Sequence, residues 1–436
     1  MAVESVAQGA ATTSAGTFTT QYRVYILVLL FFAYVSNYTD RMILNVLLPS
    51  IKAEFGLSNT ATGFLSGTGF AIFYATLGVP IAMLADRWSR RNIIAISMAI
   101  WSAMTVLCGM ATSFSNLVFA RIGVGVGEAG GSPPSHSIIS DLFSLKNRAT
   151  ALSIYSMGIP VGLVLGLSVG GWLAETYGWR TAFYAVGIPG VILALLLMLT
   201  VREPARGASE VQMADGETPS LGTVVRFILG QRSLVQTFIG ATLTTIVGYA
   251  GVTYWPTFMV TTHGLPLAEM SMFLSLVFGL ASGAGTLFGG TIVDFLSRWD
   301  VRWMPRTVAI ALALSLPFAF AIYLTSNTAL VYVLLGIPAF IGAVYLAPTF
   351  ALTQSLVGVR MRALASGIML FVINIIGYGL GPLLAGFITD LLEPKYGTHA
   401  IAYSLLIMSV FNAWAVIHYW RAGNGLKEDL ERAAKA

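Results

Sequence analysis

Apolar residues fill this chain in runs of about 20, the length an α-helix needs to cross the hydrocarbon core of a bilayer. Twelve such runs follow one another, near 23–49, 59–85, 92–112, 116–141, 149–175, 180–200, 233–260, 268–296, 306–326, 329–356, 362–390 and 399–421, separated by short polar breaks. The pattern predicts an all-α membrane protein with twelve transmembrane helices. The longest polar interruption, REPARGASEVQMADGETPS from Arg202 to Ser220, splits the spans six and six. Long polar segments between compact bundles read as linkers. The expected organisation is a disordered tail over 1–22, a six-helix bundle over 23–201, a linker over 202–232, a second bundle over 233–421 and a tail over 422–436.

Composition agrees. Of 436 residues, 56% are hydrophobic and 10% charged, against about a quarter charged in a soluble domain. The net charge of +5 acquires its meaning from where the cations fall. With the N-terminus placed in the cytoplasm, 19 of the 24 Lys and Arg lie in inside loops, helix ends and tails. Only Lys52, Arg180 and Lys395 lie outside, and Arg41 and Arg121 are within spans. This positive-inside bias predicts cytoplasmic termini and no nucleic-acid role. The opening MAVESVAQGAATTSAGTFTT lacks the basic start of a cleaved signal. The one cysteine, Cys108, and four scattered histidines offer no disulfide framework and no metal-ligand spacing, so no cofactor or metal is expected.

The two halves repeat. After the second span stands MLADRWSRR with Asp86, Arg87, Arg90 and Arg91; after the eighth stands GGTIVDFLSR with Asp294 and Arg298 at matching offsets. LKNRATALS, with Arg148, precedes the fifth span, and VRMRALASG, with Arg362, precedes the eleventh. Small residues four apart follow each: Gly158, Gly162, Gly166 and Gly170, then Gly377, Gly381 and Ala385. Such stripes let helices approach closely, for packing or for a sliding interface.

Two six-helix halves with an Asp-Arg-x-x-Arg-Arg loop resemble the major facilitator superfamily over essentially the whole chain. Ala82 and Ser89 stand where that loop usually has glycine, while Gly290 restores the first glycine in the second half. Asp40-Arg41 ahead of NVLLPSIKAEFGLS, the segment ARIGVGVGEAGGSPPSHSIISDLF, and LADRWSRR together resemble the spinster family of lipid transporters, in a compact bacterial-like form. The resemblance implies the major facilitator fold, a lysophospholipid or sphingoid-phosphate-like substrate, a bacterial inner-membrane location and a monomer.

Four ionisable groups lie at membrane depth, where each costs at least about 2.5–3.5 kcal/mol. Asp40 and Arg41 sit in the first span; Arg121 and Glu128 are seven residues apart on one face of the fourth. In depth the first pair falls between Arg121 and Glu128. If the two spans face one cavity, as the superfamily resemblance implies, Asp40 can reach Arg121, and either Arg41 or Arg121 can reach Glu128, avoiding an uncompensated charge. A clamp between helices needs only two charges. Four, with two carboxylates, suit exchange of partners and a loaded proton. Glu128 is the candidate proton carrier and Asp40 its switch partner; Arg41 and Arg121 hold an anionic head group or compensate the acid. The same stretch spells Gly125-x-Gly127-x-x-Gly130, a dinucleotide-loop pattern that means nothing without a strand before it; inside a span the glycines serve close approach.

The second half has only neutral polar candidates: Thr242, Tyr249, Asn374 and Tyr378. A cavity charged on one wall and apolar on the other suits an amphiphile. Asp86, Arg87, Arg90, Arg91, Asp294, Arg298, Arg148 and Arg362 are candidates for a cytoplasmic gate whose ion pairs break on opening. With no Gly-x4-Gly-Lys-Ser/Thr loop, the expected function is secondary, proton-coupled transport of an amphiphile by alternating access. The partners are that substrate, protons and membrane lipids. The alternative is a proton-coupled carrier of a water-soluble organic anion or drug. A lipid-modifying enzyme would need a Ser-His-Asp or metal constellation that the spans do not carry.

Overall fold

The computed structural model describes residues 18–85, 87–206 and 219–435. Asp86, most of the expected N-terminal tail and the middle of the linker lie outside the described residues. No strand occurs among the described residues. Ten stretches are long and apolar enough to cross a membrane by length and composition. One of them, Arg362–Ala422, holds two spans, 362–396 and Ala400–Ala422, joined by the short turn Gly397–His399. The fourth span is missing from the ten because it is broken into Phe114–Glu128 and Ser132–Leu142. Counting both gives the expected twelve. The others run Thr20–Phe55, Asn59–Ala85, Arg90–Gly109, Thr150–Tyr177, Trp179–Thr200, Arg232–His263, Leu267–Ser297, Trp303–Leu324 and Thr328–Ser355.

Local chemistry sets their ends. Ser58, Ser89 and Ser113 cap spans two to four, each hydroxyl accepting from the N–H three residues on. Gly56, in the left-handed conformation at φ 60°, ends the first span. Two segments expected as linker and tail contain helices. In Leu221–Gly230, Val224 and Ile228 bury one face; in Leu426–Ala434, Leu426, Asp429 and Ala433 do. Each is too short to register as a span, and burial of a single stripe against the second half is enough to fold it.

The glycine stripes pack within each half. A Cβ on Gly162 would stand 2.5 Å from the Val35 carbonyl oxygen, and one on Gly166 would stand 2.8 Å from that of Thr39, so the fifth span lies directly on the backbone of the first. Gly377 and Gly381 press in the same way on Thr245 and Ile246 of the seventh. Gly125 and Gly127 admit Phe70 and Trp101 against the fourth span, which is the close-approach role and leaves nothing for a nucleotide.

The first described turn of span one, the described edges of the linker and the C-terminal helix share one end. Tyr22 Oη donates to the Thr200 carbonyl at 2.7 Å, and the Ser233 N–H donates to Asp429 at 2.7 Å. The two halves meet at the opposite end and at mid-depth, where Thr68 Oγ1 donates to the Gly379 carbonyl at 2.6 Å. At the end carrying the termini no ion pair joins the halves among the described residues. Spans two, eight and eleven each contain a π-helical turn, at Phe64–Thr68, Val277–Ser282 and Ile373–Tyr378. All three spans run along the interface between the halves. Such turns rotate the side chains that follow them and are common at functional sites.

Candidate functional site

The four ionisable groups come together inside the first half. Arg41 Nε donates to Glu128 Oε2 at 2.5 Å, with the Glu128 side chain fully buried and that of Arg41 8% exposed. Of the two arginines in reach of Glu128 on sequence grounds, the structure therefore selects Arg41. Asp40 is fully buried but does not hydrogen-bond Arg121; its Oδ1 accepts from Thr105 Oγ1 of the third span at 2.5 Å. Arg121 is 1% exposed, with none of its three guanidinium nitrogens hydrogen-bonded, and Asp40 Oδ2 and Glu128 Oε1 are equally unpartnered.

An aromatic box that sequence reasoning missed holds the cations. The Arg41 guanidinium lies 5.2, 5.1 and 4.5 Å from the ring centres of Tyr38, Phe70 and Tyr74, and that of Arg121 lies 5.5 Å from Phe70. The negative faces of these rings stabilise a guanidinium where water is excluded. A signal was present: Tyr38 stands three residues before Arg41, and Tyr74 four after Phe70, both spacings that share a helix face. Gly125 matters here, since its missing side chain lets the Phe70 backbone approach within 2.8 Å of where a Cβ would stand.

From this box an aromatic path crosses to the second half. Phe70 meets Tyr378 at 5.4 Å between ring centres, and Tyr378 stacks on Tyr249 at 4.4 Å. Tyr249 in turn lines a cavity of about 290 Å³ among spans seven to ten and twelve. Its wall is mostly apolar and carries no charge; its polar groups include Tyr345, Ser409 and Asn412, and Trp255, whose Nε1 donates to Tyr323 at 2.8 Å. Of the four neutral candidates, Tyr249 lines the cavity and Tyr378 backs it. Thr242 bonds its own helix at the Phe238 carbonyl, and Asn374, half-buried, does so at the Leu370 carbonyl. Span-interior polar residues such as Asn412 had no sequence signature beyond their rarity.

Among the described gate candidates, the ion pairs and side-chain hydrogen bonds of Arg90 and Arg91 stay within the first half. Arg90 is buried in the first half, where it donates to Asp141, to Ser137 Oγ at 2.8 Å, to Glu203 at 2.8 Å and to the Pro204 carbonyl at 2.9 Å. Arg91 donates to the Val201 carbonyl at 3.1 Å. Burial raises the proton affinity of Glu203, but donation from Arg90, the Arg91 N–H and Ser89 outweighs it and holds the carboxyl below its usual range. Arg87, Asp294, Arg298 and Arg362 are exposed, and Arg148 is half-buried.

Known proteins show the same architecture. The family model for the Major Facilitator Superfamily matches residues 30–382. An MFS-type efflux pump of Mycolicibacterium smegmatis is 31% identical over 400 residues, 92% of each chain. Spinster homolog 1 of Xenopus laevis is 28% identical over 85% of this chain and 73% of its own, and a hexuronate transporter of Bacillus subtilis 26% over 91% and 94%. Crystal structures of a bacterial homolog of the human lysosomal transporter Spinster, inward-facing and either unoccupied or occupied, superimpose with a TM-score of 0.85 at 30% identity, over 94% of this chain and 99% of theirs. The chain belongs to the major facilitator superfamily, with spinster proteins among its relatives: an integral membrane transporter of a small-molecule substrate, not an enzyme.

Proposed function

We propose that this transporter moves an anionic or zwitterionic amphiphile, a lysophospholipid or sphingoid-phosphate-like lipid, across a bacterial inner membrane by proton-coupled alternating access. The observation that carries the reading is the buried Arg41–Glu128 pair beside an unpartnered Arg121, joined by Tyr378 and Tyr249 to an uncharged, mostly apolar cavity. The charged box suits a phosphate or carboxylate head; the cavity, near the lower bound of about 300 Å³ for small-molecule sites, suits an apolar tail.

In this mechanism Glu128 carries the proton. While ionised it occupies Arg41; once protonated it no longer neutralises the guanidinium, and the substrate anion takes its place against Arg41 and Arg121. Asp40, with one oxygen on Thr105 and one free, is the switch partner that Arg121 takes when the helices shift. With the termini in the cytoplasm, the end at which no ion pair joins the halves faces the inside, and Asp86, Arg90, Arg91, Asp294 and Arg298 pair across the halves once that end closes. The transporter works as a monomer.

The rival substrate, a water-soluble organic anion or drug, is favoured by the hydrogen-bonding groups of the cavity and by the sugar-acid and efflux relatives. Uptake of a labelled lysophospholipid into proteoliposomes, with and without a pH gradient, in wild type and Glu128→Gln, separates the cases. Gradient-dependent flux lost in the variant supports the proposal. Lipid flux absent from folded wild-type protein that carries a hexuronate overturns the lipid assignment, and unchanged gradient dependence in Glu128→Gln overturns the carrier role.

A further inference from the structure

The end opposite the termini is held shut by an unusual exchange between the halves. The second span starts at Asn59, and the first N–H groups of any helix have no partner within it. The Ser58 hydroxyl satisfies only the N–H of Ala61. The N–H groups of Asn59 and Thr60 donate instead across the interface to one carboxylate, Asp390 of the eleventh span, at 2.7 Å each. The side chains repeat the pattern: Asn59 Nδ2 donates to Asp390 Oδ1 at 2.8 Å and Thr60 Oγ1 to Oδ2 at 2.6 Å.

Asn59 is further enclosed. Its Oδ1 accepts from Lys52 at 2.8 Å, its Nδ2 also donates to Glu393 at 2.9 Å, and its carbonyl accepts from Tyr254 Oη of the seventh span at 2.6 Å. A Cβ on Gly386 would stand 2.2 Å from that carbonyl oxygen, and one on Gly63 would stand 2.3 Å from the Pro382 oxygen. The backbones must touch for the bonds to Asp390, Glu393 and Tyr254 to form, so none of these survives separation of the halves here; only the Lys52 bond, which lies within the first half, does.

We infer that Asp390 is a positioning residue of the transport cycle: a helix cap lent by one half to the other, which holds this end closed and sets how often it opens. Glu393 and Lys52, at 3.7 Å and both partly exposed, add little, because solvated pairs contribute weakly. The cap is different in kind, since its loss strands two backbone donors at a helix start. The inference depends neither on the substrate nor on proton coupling.

The test measures the opening directly. Spin labels at Ala53 and Lys395, exposed positions on opposite halves at this end, report its width in substrate-free protein in nanodiscs; Cys108 is buried and is replaced by alanine. Wild type should give one short distance. Asp390→Ala should raise the ratio of open to closed molecules about tenfold, the usual effect of a helix cap. Asp390→Asn, which still accepts through one oxygen, should fall between, and Thr60→Val should shift the ratio least. An unchanged distance distribution in folded Asp390→Ala overturns the inference, as does a lowered melting temperature with no change in the ratio, which marks a purely structural role. If Asp390→Ala does not fold, Asp390→Asn and Thr60→Val decide by the same two criteria.

Discussion

Removing either member of the Arg41–Glu128 pair should cost stability, and removing both should cost much less than the sum. Breaking a buried pair leaves an uncompensated charge, at about 3–5 kcal/mol. The structure lowers that figure for Glu128→Gln. Arg41 keeps three aromatic faces at 4.5–5.2 Å, each worth about 0.5–2 kcal/mol when desolvated, and glutamine still accepts one hydrogen bond. The expected loss is about 1–3 kcal/mol. Arg41→Met leaves a fully buried carboxylate whose escape is to take up a proton, for a loss of about 2–4 kcal/mol. The double variant removes both charges of this pair, so neither is left without the other, and the coupling should be about 2 kcal/mol or more. Equilibrium unfolding in mixed micelles of the four proteins, followed by circular dichroism, measures it. Additivity within about 0.5 kcal/mol would refute direct pairing, because distant, independent sites add within that margin. The double variant should also regain stability without regaining gradient-driven flux, which separates the fold's need for the pair from the cycle's.

Two further outcomes are expected. Gly162→Ala, whose Cβ would meet the Val35 oxygen at 2.5 Å, should destabilise by about 1–3 kcal/mol, whereas Gly336→Ala, with open space around it, should be neutral or slightly stabilising by the same unfolding assay. Glu203 lies outside the spans and its carboxyl is held below its usual range, so its contribution is complete above the unfolded-state pKa of about 4.3 and is lost as pH falls through the lower folded value. Glu203→Gln should therefore unfold more readily than wild type at neutral pH, by about 1–2 kcal/mol, and the gap should close on acidification; a gap that widened in acid would contradict the assigned contacts.

Much of the site was legible before any coordinates. The depth of Asp40, Arg41, Arg121 and Glu128 follows from counting residues along two helices of known rise, and charges at one depth have reason to meet. Their pairing was not legible. Two arginines could reach Glu128, and the choice of Arg41 rests on the rotation of the first helix about its axis, which the Gly158–Gly170 stripe of the fifth span fixes by pressing on Val35 and Thr39. The Tyr38, Phe70 and Tyr74 box had the right spacings, but no residue types that set it apart from ordinary core. Asp390 stood at the end of an apolar run and gave no sign that the N–H groups it caps lie 330 residues away.

Sequence alone determined the membrane, the twelve spans, the six-and-six division and the resemblance to the major facilitator superfamily. These rest on hydropathy, helical period and loop motifs, properties read within a window of about 20 residues. Tertiary structure decided which arginine holds Glu128, where the uncharged cavity lies, that Leu221–Gly230 and Leu426–Ala434 pack as helices, and which end of the transporter is closed. Each depends on how separate helices are rotated and placed against one another, and that arrangement is settled by packing summed over the whole molecule rather than by any local run of residues.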